Sequence, residues 1–173
     1  MKKKLIGLLR KIKYRSRTAI NTFLAKRKIK TYGESLAVNA KCVFTPFTEI
    51  GDHCNFNGMV IKGRGRVKIG DYFHSGTECL MITSFHNYDS GDAIPYDNTN
   101  IDKDVTIENN VWLGDRVIIL GGVTIGEGAV IQAGSVVCKD VPALSIAGGH
   151  PAVAFKKRDE EHYYSLAEQG KFM

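Results

Sequence analysis

The chain has 173 residues, enough for one domain with a sizeable core, and its hydrophobic share of 43% and charged share of 24% are those of a folded soluble protein. The net charge of +6 is divided unevenly, because residues 1–30 hold 12 Lys and Arg without any Asp or Glu, whereas residues 31–173 hold 12 Lys and Arg and 18 Asp and Glu. This division excludes a uniformly basic, nucleic-acid-binding protein, since the body is acidic and only an N-terminal arm is basic.

The basic arm, residues 1–30, has the spacing of an amphipathic helix. Its apolar residues recur at positions 5, 8, 9, 12, 19, 20 and 23, and Lys and Arg crowd the remainder. Such a helix can lie on an anionic membrane surface, pack within a trimer or remain solvated. The apolar run at residues 5–9 is shorter than a signal-peptide core or a membrane span, so we expect a cytoplasmic protein. Peripheral contact with the inner face of the membrane stays open.

The body is organised by a six-residue period. From residue 101 an aliphatic side chain returns at every sixth position: Ile101, Ile107, Leu113, Ile119, Ile125, Ile131 and Val137. A second row, four positions later, is small or β-branched: Val105, Val111, Val117, Val123, Ala129, Ser135 and Val141. Gly, Asn and Asp fill the gaps, where tight corners need them. Each unit therefore predicts one short strand and one corner.

The same period is present upstream, over residues 38–81. It runs through Val38, Phe44, Ile50 and Phe56, slips by one residue across residues 63–65, and resumes at Ile69, Ser75 and Met81. The second row there is Cys42, Thr48, Cys54, Val60, Phe73 and Cys79. Three of the four cysteines thus fall on interior positions as small hydrophobes, and the four form no C-x-x-C pair. A repeat of this kind indicates a parallel β-helix.

Residues 82–100 interrupt the repeat and are rich in Gly, Pro, Asn and Asp, which predicts a loop extruded from the coil. After Pro151, residues 158–169 have acidic residues in their first turn and end before Gly170, which predicts a helix over the open end of the coil. We therefore divide the chain into a basic helical arm over 1–30, a β-helix over 31–152 and a C-terminal helical cap over 153–173.

His86 is the strongest candidate for catalysis. It lies on the extruded loop beside Ser84, Asn87, Tyr88 and Asp89, where a partly solvated imidazole is suited to proton transfer. A loop histidine can equally be exposed and polar without a catalytic role. Asp89 could orient the imidazole, or it could be a solvated group at the tip of the loop.

The segment IGEGAVIQAGSVV at 125–137 resembles the hexapeptide-repeat acyltransferase family, and residues 38–152 carry the resemblance. The resemblance implies an all-β, left-handed parallel β-helix with three units per coil, so that about 14 units make four to five coils. It also implies a homotrimer with active sites between subunits. The segments SFHNYD and GDAIPYD look most like bacterial sugar O-acetyltransferases of capsule, lipopolysaccharide or exopolysaccharide synthesis.

The implied reaction transfers acetyl from acetyl-CoA to a saccharide hydroxyl in a ternary complex, with His86 as general base and without a metal. No Cys or Ser stands in a recognisable nucleophile context, which argues against an acyl-enzyme. Antibiotic or nucleotide-amino-sugar acetylation is the alternative. A γ-carbonic-anhydrase-like zinc enzyme is less favoured because no histidine lies between His86 and His150, and a non-catalytic β-helix scaffold is a further alternative.

Other site residues are assigned only through the resemblance. Asn55 and Asn57 fall where sugar-acetylating relatives carry an active-site asparagine, and which of the two aligns stays open. Trp112, the only tryptophan, stands at an outward position, which the resemblance places near the coenzyme and the neighbouring subunit.

The coenzyme is expected along the corners and among basic residues. The positions implied for its pantetheine arm are Gly114, Gly121, Ala133 and Gly134, and those for its phosphates are Lys139 and Lys156. Val153 departs from the family pattern, because many relatives have a basic residue there. The departure shifts the expected phosphate contacts to Lys156, Lys157 or Arg158.

Overall fold

The computed structural model describes the backbone of residues 2–173 and the side chains of residues 4–173, so Met1 of the predicted arm lies outside the described residues. Two helices, α1 (Lys2–Lys26) and α2 (Glu160–Glu168), flank the strands. In chain order the strands are β1 (Thr31–Tyr32), β2 (Ala37–Val38), β3 (Thr48–Ile50), β4 (Asn55–Phe56), β5 (Val60–Lys62), β6 (Val67–Ile69), β7 (His74–Ser75), β8 (Leu80–Ile82), β9 (Ser84–His86), β10 (Asn100–Asp102), β11 (Val105–Ile107), β12 (Trp112–Leu113), β13 (Ile118–Leu120), β14 (Thr124–Ile125), β15 (Val130–Ile131), β16 (Val136–Val137), β17 (Ser145–Gly149) and β18 (Ala152–Lys157).

Three parallel sheets form the sides of a β-helix. Sheet A has the order β1-β3-β6-β11-β14, sheet B has β18-β17-β15-β12-β7-β4-β2, and sheet C has β16-β13-β8-β5. The chain passes through A, B and C in turn. Leu113 pairs with Ile131, so one coil takes eighteen residues, or three repeat units, as predicted.

The β-helix has about six coils instead of the predicted four to five. Sheet B contains six parallel strands in addition to β18, which is antiparallel to its neighbour β17. The predicted repeat begins at Val38, whereas the first coil begins at β1, where Tyr32 pairs with Ile50 in sheet A. At the other end it continues into β17.

The two predicted rows of side chains line the interior with few exceptions. Leu113, Ile125 and Ile131 are completely buried, and all seven downstream residues of the second row are buried. Ile101 is the downstream exception, because it lies half-buried on β10.

Upstream, the interior positions of one unit lie one residue earlier than predicted. Val60 is only half-buried, and Met59 and Ile61 are the fully buried residues of that unit. The buried row thus steps by five residues from Phe56 to Ile61 and by eight from Ile61 to Ile69, so the extra residues of the slip lie around the glycines at 63 and 65, as predicted.

All four cysteines are free thiols, and three of them pack in or against the core. Cys54 and Cys79 are buried, Cys42 is half-buried against the core, and Cys138 is exposed. Burial raises the pKa of the Cys54 thiol to about 11, which keeps it protonated and unreactive at neutral pH. The predicted interior packing role is confirmed for the buried pair.

Asp and Asn side chains at the corners tie each coil to the one before it. A side-chain oxygen accepts a hydrogen bond from a backbone N–H one coil earlier. The pairs are Asp115 with Thr77 (2.6 Å), Asp104 with Arg66 (2.7 Å), Asn109 with Asp71 (2.8 Å) and Asp140 with Thr124 (2.7 Å). We call this set the corner ladder. It satisfies backbone donors that the turns would otherwise leave unpaired.

The extruded segment is a two-stranded hairpin. Strands β9 and β10 are antiparallel, with Phe85 opposite Ile101. Ile82 still belongs to sheet C, and the buried Thr83 hydroxyl donates to the Lys62 carbonyl at 3.0 Å. The hairpin therefore starts after Thr83 and ends at residue 102, two residues beyond each predicted boundary.

The C-terminal segment begins with a strand. Residues 153–157, which are predicted as part of the helical cap, belong to β18, and this strand covers the end of sheet B. Helix α2 follows the N-cap Asp159 and ends before Gly170, close to its predicted bounds. The Tyr163 hydroxyl donates to Glu127 at 3.0 Å and accepts from Asn110 at 2.9 Å. These bonds place α2 along the corner between sheets A and B instead of across the open end.

Helix α1 covers the first edge of sheet B with its C-terminal half. The Thr22 hydroxyl accepts a hydrogen bond from the Val38 N–H at 2.9 Å, the Thr18 hydroxyl donates to Asn39 at 3.2 Å, and Ala25 is buried. Covering an edge strand in this way satisfies its donors and prevents edge-to-edge pairing. Neither α1 nor α2, over the part of the chain described, is long and apolar enough to cross a membrane.

Candidate active site

His86 ends strand β9, and its imidazole is exposed at the mouth of the hairpin. The Tyr96 ring lies against it, with ring centroids 3.8 Å apart and planes inclined by 8°. Stacking of this kind fixes the plane of the imidazole and leaves its two nitrogens at the rim, where they are available to a ligand.

The hairpin loop is held by its own polar groups. Asn87 donates to the Thr99 hydroxyl at 3.1 Å and accepts from the Ser90 hydroxyl at 2.9 Å. The Asp97 carboxylate accepts from the Thr99 hydroxyl and from the backbone N–H of Thr99 at 2.8 Å. These hydrogen bonds lower the pKa of Asp97. Within the described residues, Asp89 makes no hydrogen bond to His86.

A second network anchors the base of the hairpin. The Ser84 hydroxyl donates to the Asp102 carboxylate at 2.5 Å and accepts from the Arg64 N–H at 2.8 Å. The Arg64 guanidinium lies 3.4 Å from the same carboxylate. Strand β9, which carries His86, is therefore joined to β10 and to the preceding coil.

Two predicted coenzyme residues share the hairpin corner, which we define as the corner between sheets C and A. Gly121 packs beneath the hairpin, because a Cβ atom there would lie 3.2 Å from the Phe85 ring and 2.8 Å from the Lys103 carbonyl oxygen. Lys139 follows Gly121 one coil later, in the register that sets Ile119 opposite Val137, and is exposed. His86, Gly121 and Lys139 are thus brought to one corner.

Trp112 lies on the outer face of sheet B, where 57% of its surface is exposed. The strand register sets Asn55 beside His74 and His74 beside Trp112 in one outward column. A groove of about 710 Å³ is lined by His74 and Trp112 of this column, and Asn55 is not among its lining residues. Part of its wall is the C-terminal tail, whose Phe172 ring stacks on Tyr72 at 4.4 Å.

The corner between sheets B and C holds the other predicted positions. Gly114 and Gly134 already use their N–H groups, which donate to the Ile131 and Asp115 carbonyls, each at 2.8 Å. A Cβ atom on Gly114 would lie 2.6 Å from the Ala133 nitrogen, so glycine is required there for close stacking of coils.

The backbone N–H of Gly121 and the side-chain amide of Asn57 also form hydrogen bonds between coils. The Gly121 N–H donates to the Ile82 carbonyl at 2.8 Å. The Asn57 side chain donates to the Ser75 carbonyl at 2.7 Å and accepts from the Asn39 side chain at 3.1 Å, so it links its own coil to the coils on both sides. These contacts give Asn57 a structural role and leave Asn55 as the outward-facing asparagine.

The three basic residues that follow Val153 differ in their contacts and exposure: Arg158 makes contacts within the fold, whereas Lys156 and Lys157 are exposed. Arg158 donates to the Gly128 carbonyl at 3.0 Å and lies 4.8 Å from the Tyr163 ring centroid, so it holds α2 to the coil. Lys156 and Lys157 are exposed on β18, as is Val153.

The predicted residues therefore occupy separate sides of one chain. The hairpin corner, with His86, lies opposite sheet B, which carries Asn55 and Trp112. Sequence reasoning missed Tyr96, although an aromatic residue ten positions after His86 in the same loop was a visible signal. It also missed the tail along the groove. No group of three or more His, Cys, Asp or Glu side chains able to hold a metal ion occurs in the part of the chain described.

Comparison with known proteins gives matches to acetyltransferases. The family model for bacterial transferase hexapeptide (six repeats) matches residues 104–139. A Schizosaccharomyces pombe protein with a provisional acetyltransferase name is 37% identical over 63% of this chain and 49% of its own length. Escherichia coli galactoside O-acetyltransferase is 47% identical over 35% of this chain and 30% of its own length. The chain thus spans half or less of these curated relatives.

The solved structures match over a larger share. A hexapeptide-repeat acetyltransferase from Vibrio cholerae, also solved with acetyl coenzyme A, is 32% identical with a TM-score of 0.70, covering 82% of each chain. A galactoside acetyltransferase in complex with coenzyme A is 31% identical with a TM-score of 0.66, covering 77% of this chain and 67% of that one. Sequence repeat, β-helix and these matches agree, and the chain belongs to the hexapeptide-repeat acetyltransferase family.

Proposed function

We propose that the protein is an acetyl-CoA-dependent O-acetyltransferase whose acceptor is a saccharide hydroxyl. The observation that carries the proposal is the exposed imidazole of His86, fixed against Tyr96 at the mouth of a hairpin that leaves the coil. The relatives support the chemistry, because they include a galactoside O-acetyltransferase and a maltose O-acetyltransferase from Clostridium difficile. Capsule, lipopolysaccharide and exopolysaccharide units are the acceptors to try first.

In this proposal His86 is the general base. One imidazole nitrogen takes the proton of the acceptor hydroxyl as its oxygen attacks the thioester carbonyl carbon of acetyl-CoA. The new C–O ester bond forms and the C–S bond breaks, and the imidazole returns the proton to the departing coenzyme A thiolate. The base ends the cycle neutral, so atoms and charges balance without an acyl-enzyme.

The active unit in this proposal is a homotrimer. A site that contains both His86 and Trp112 cannot form within one chain, because the hairpin corner and sheet B lie on opposite sides of the coil. Two neighbouring chains can bring them together, with His86 and Lys139 from one chain and Trp112 from the next. The coenzyme would then run along the corners near Gly121 and Ala133.

The proposed base is tested by replacement. His86→Ala should lower kcat by at least about 100-fold and leave acetyl-CoA binding nearly unchanged, because the ring would act on the acceptor proton. His162→Ala is the matched control, since its side chain is exposed on α2. Acetyl-CoA consumption with mass detection, over a panel of saccharides, amino sugars and aminoglycosides, identifies the acceptor. Unaltered turnover in His86→Ala would remove His86 from the mechanism.

The shared site is tested by mixing variants. His86→Ala and Trp112→Ala chains, each weakly active alone, should regain activity when co-expressed, because a mixed trimer contains sites with both residues intact. Sedimentation should show a trimer throughout. Failure to regain activity in a verified mixed trimer would contradict a site between subunits.

A further inference from the structure

One face of α1 carries large apolar side chains that remain exposed among the residues whose side chains the structure describes. These residues are Leu5, Leu8, Leu9, Ile12, Ile20 and Phe23, and each has between 52% and 61% of its surface exposed. We call this set the outer stripe. An uncovered apolar stripe along about five turns of helix exceeds the isolated exposed hydrophobic residues that are ordinary on protein surfaces.

The outer stripe points away from the β-helix. At 100° per residue, its members centre about 135° around the helix axis from Thr18, Thr22 and Ala25. Those three residues face β2, as their hydrogen bonds and burial show. Folding of the chain therefore turns the stripe outward, and α1 is held to the body by its other side.

Basic residues border the outer stripe on both sides. By the same helical spacing, Lys4 and Arg15 flank one border and Lys13 and Arg17 flank the other, and all four are exposed. Residues 1–30 contain no Asp or Glu. Packing against the same helix of a second copy would bring two strongly basic surfaces together, which like-charge repulsion opposes.

We propose that α1 lies on an anionic lipid surface, with the outer stripe in the boundary between headgroups and acyl chains. Apolar burial and attraction of the flanking Lys and Arg to acidic headgroups act on the same helix in this arrangement. Charge complementarity favours this occupant over the same helix of a second copy and over a neutral bilayer. The body, which is acidic overall, would be held at the surface by its β2 end.

The test is flotation of the full chain with vesicles of phosphatidylcholine containing phosphatidylserine, and with vesicles of phosphatidylcholine alone. Binding should require the acidic lipid and weaken with salt. Ile12→Ser/Phe23→Ser should weaken binding at least about tenfold through lost apolar burial. Lys13→Gln/Arg15→Gln/Arg17→Gln should weaken it about 100-fold, since each basic residue contributes about fivefold.

The control variant is Val43→Ser/Phe47→Ser, which removes exposed apolar side chains of matching type outside α1 and should float like wild type. Absence of flotation, or equal binding to both vesicle types, would overturn the proposal. The proposal would also be overturned if Ile12→Ser/Phe23→Ser changed the oligomeric state seen in sedimentation and left flotation intact. The outer stripe would then be a contact with a second copy of the chain. Circular dichroism confirms that the variants remain folded.

Discussion

Removal of the ring that stacks on His86 should slow acetyl transfer and leave coenzyme binding unchanged. In Tyr96→Ala the imidazole loses the surface that sets its plane, and so it samples orientations unsuited to proton transfer. Tyr96→Phe keeps the ring and should behave like wild type, because Tyr96 is linked to His86 by the stack alone. We treat Tyr96 as a positioning residue that acts through His86.

The size of the effect follows from the stack. The rings are nearly parallel, at 8°, with centroids 3.8 Å apart, and aromatic pairs contribute about 0.5–1.5 kcal/mol beyond the area they bury. If that free energy holds the imidazole in its productive orientation, its loss lowers the productive fraction, and therefore kcat, by roughly 2- to 13-fold.

The assay is steady-state acetyl transfer with the acceptor found in the screen, measuring kcat and the KM for acetyl-CoA in wild type, Tyr96→Ala and Tyr96→Phe. The same tyrosine change is then made in His86→Ala, where it should have no further effect because the residue it positions is gone. An equal loss in Tyr96→Ala and Tyr96→Phe, or an additive loss in the double variant, would refute the positioning role.

Three predictions concern stability. Leu113→Ala should lower the free energy of unfolding by roughly 2–5 kcal/mol in urea titrations, because Leu113 is completely buried, whereas Trp112→Ala on its exposed neighbour should cost far less. Tyr163→Phe removes two hydrogen bonds and should cost about 1–2 kcal/mol. Burial raises the pKa of Tyr163 to about 12, so this stabilisation should persist below about pH 10 and disappear as pH rises towards 12. The hydrogen bond from the Thr77 N–H lowers the pKa of Asp115, so Asp115→Ala should lower the melting temperature at pH 7 and the difference should shrink below about pH 4, as wild type also loses its carboxylate.

Much of the fold could be predicted because burial repeats with the coil. Each unit must place two side chains inward, so a row such as Ile107, Leu113 and Ile119 is visible in the sequence alone. The ends of the coil were harder to predict. Tyr32 joins sheet A only through its pairing with Ile50, and a single edge strand gives little periodic signal.

The candidate site was predicted in part. The break in the repeat located the hairpin that carries His86, but the Tyr96 stack depends on how the loop folds back on itself. The corner glycines looked available to a ligand because sequence does not show where backbone groups donate. In the structure, the N–H groups of Gly114 and Gly121 already bind the neighbouring coils.

The hairpin leaves and re-enters the coil at one point. The Lys103 N–H donates to the Thr83 carbonyl at 2.8 Å, and β11 then pairs directly with β6, as though the twenty or so intervening residues were absent. The interior rows above and below are therefore insensitive to the length and composition of the insertion. A change within the hairpin can therefore leave the parallel pairing of β11 with β6, and the buried side chains of these strands, unaltered.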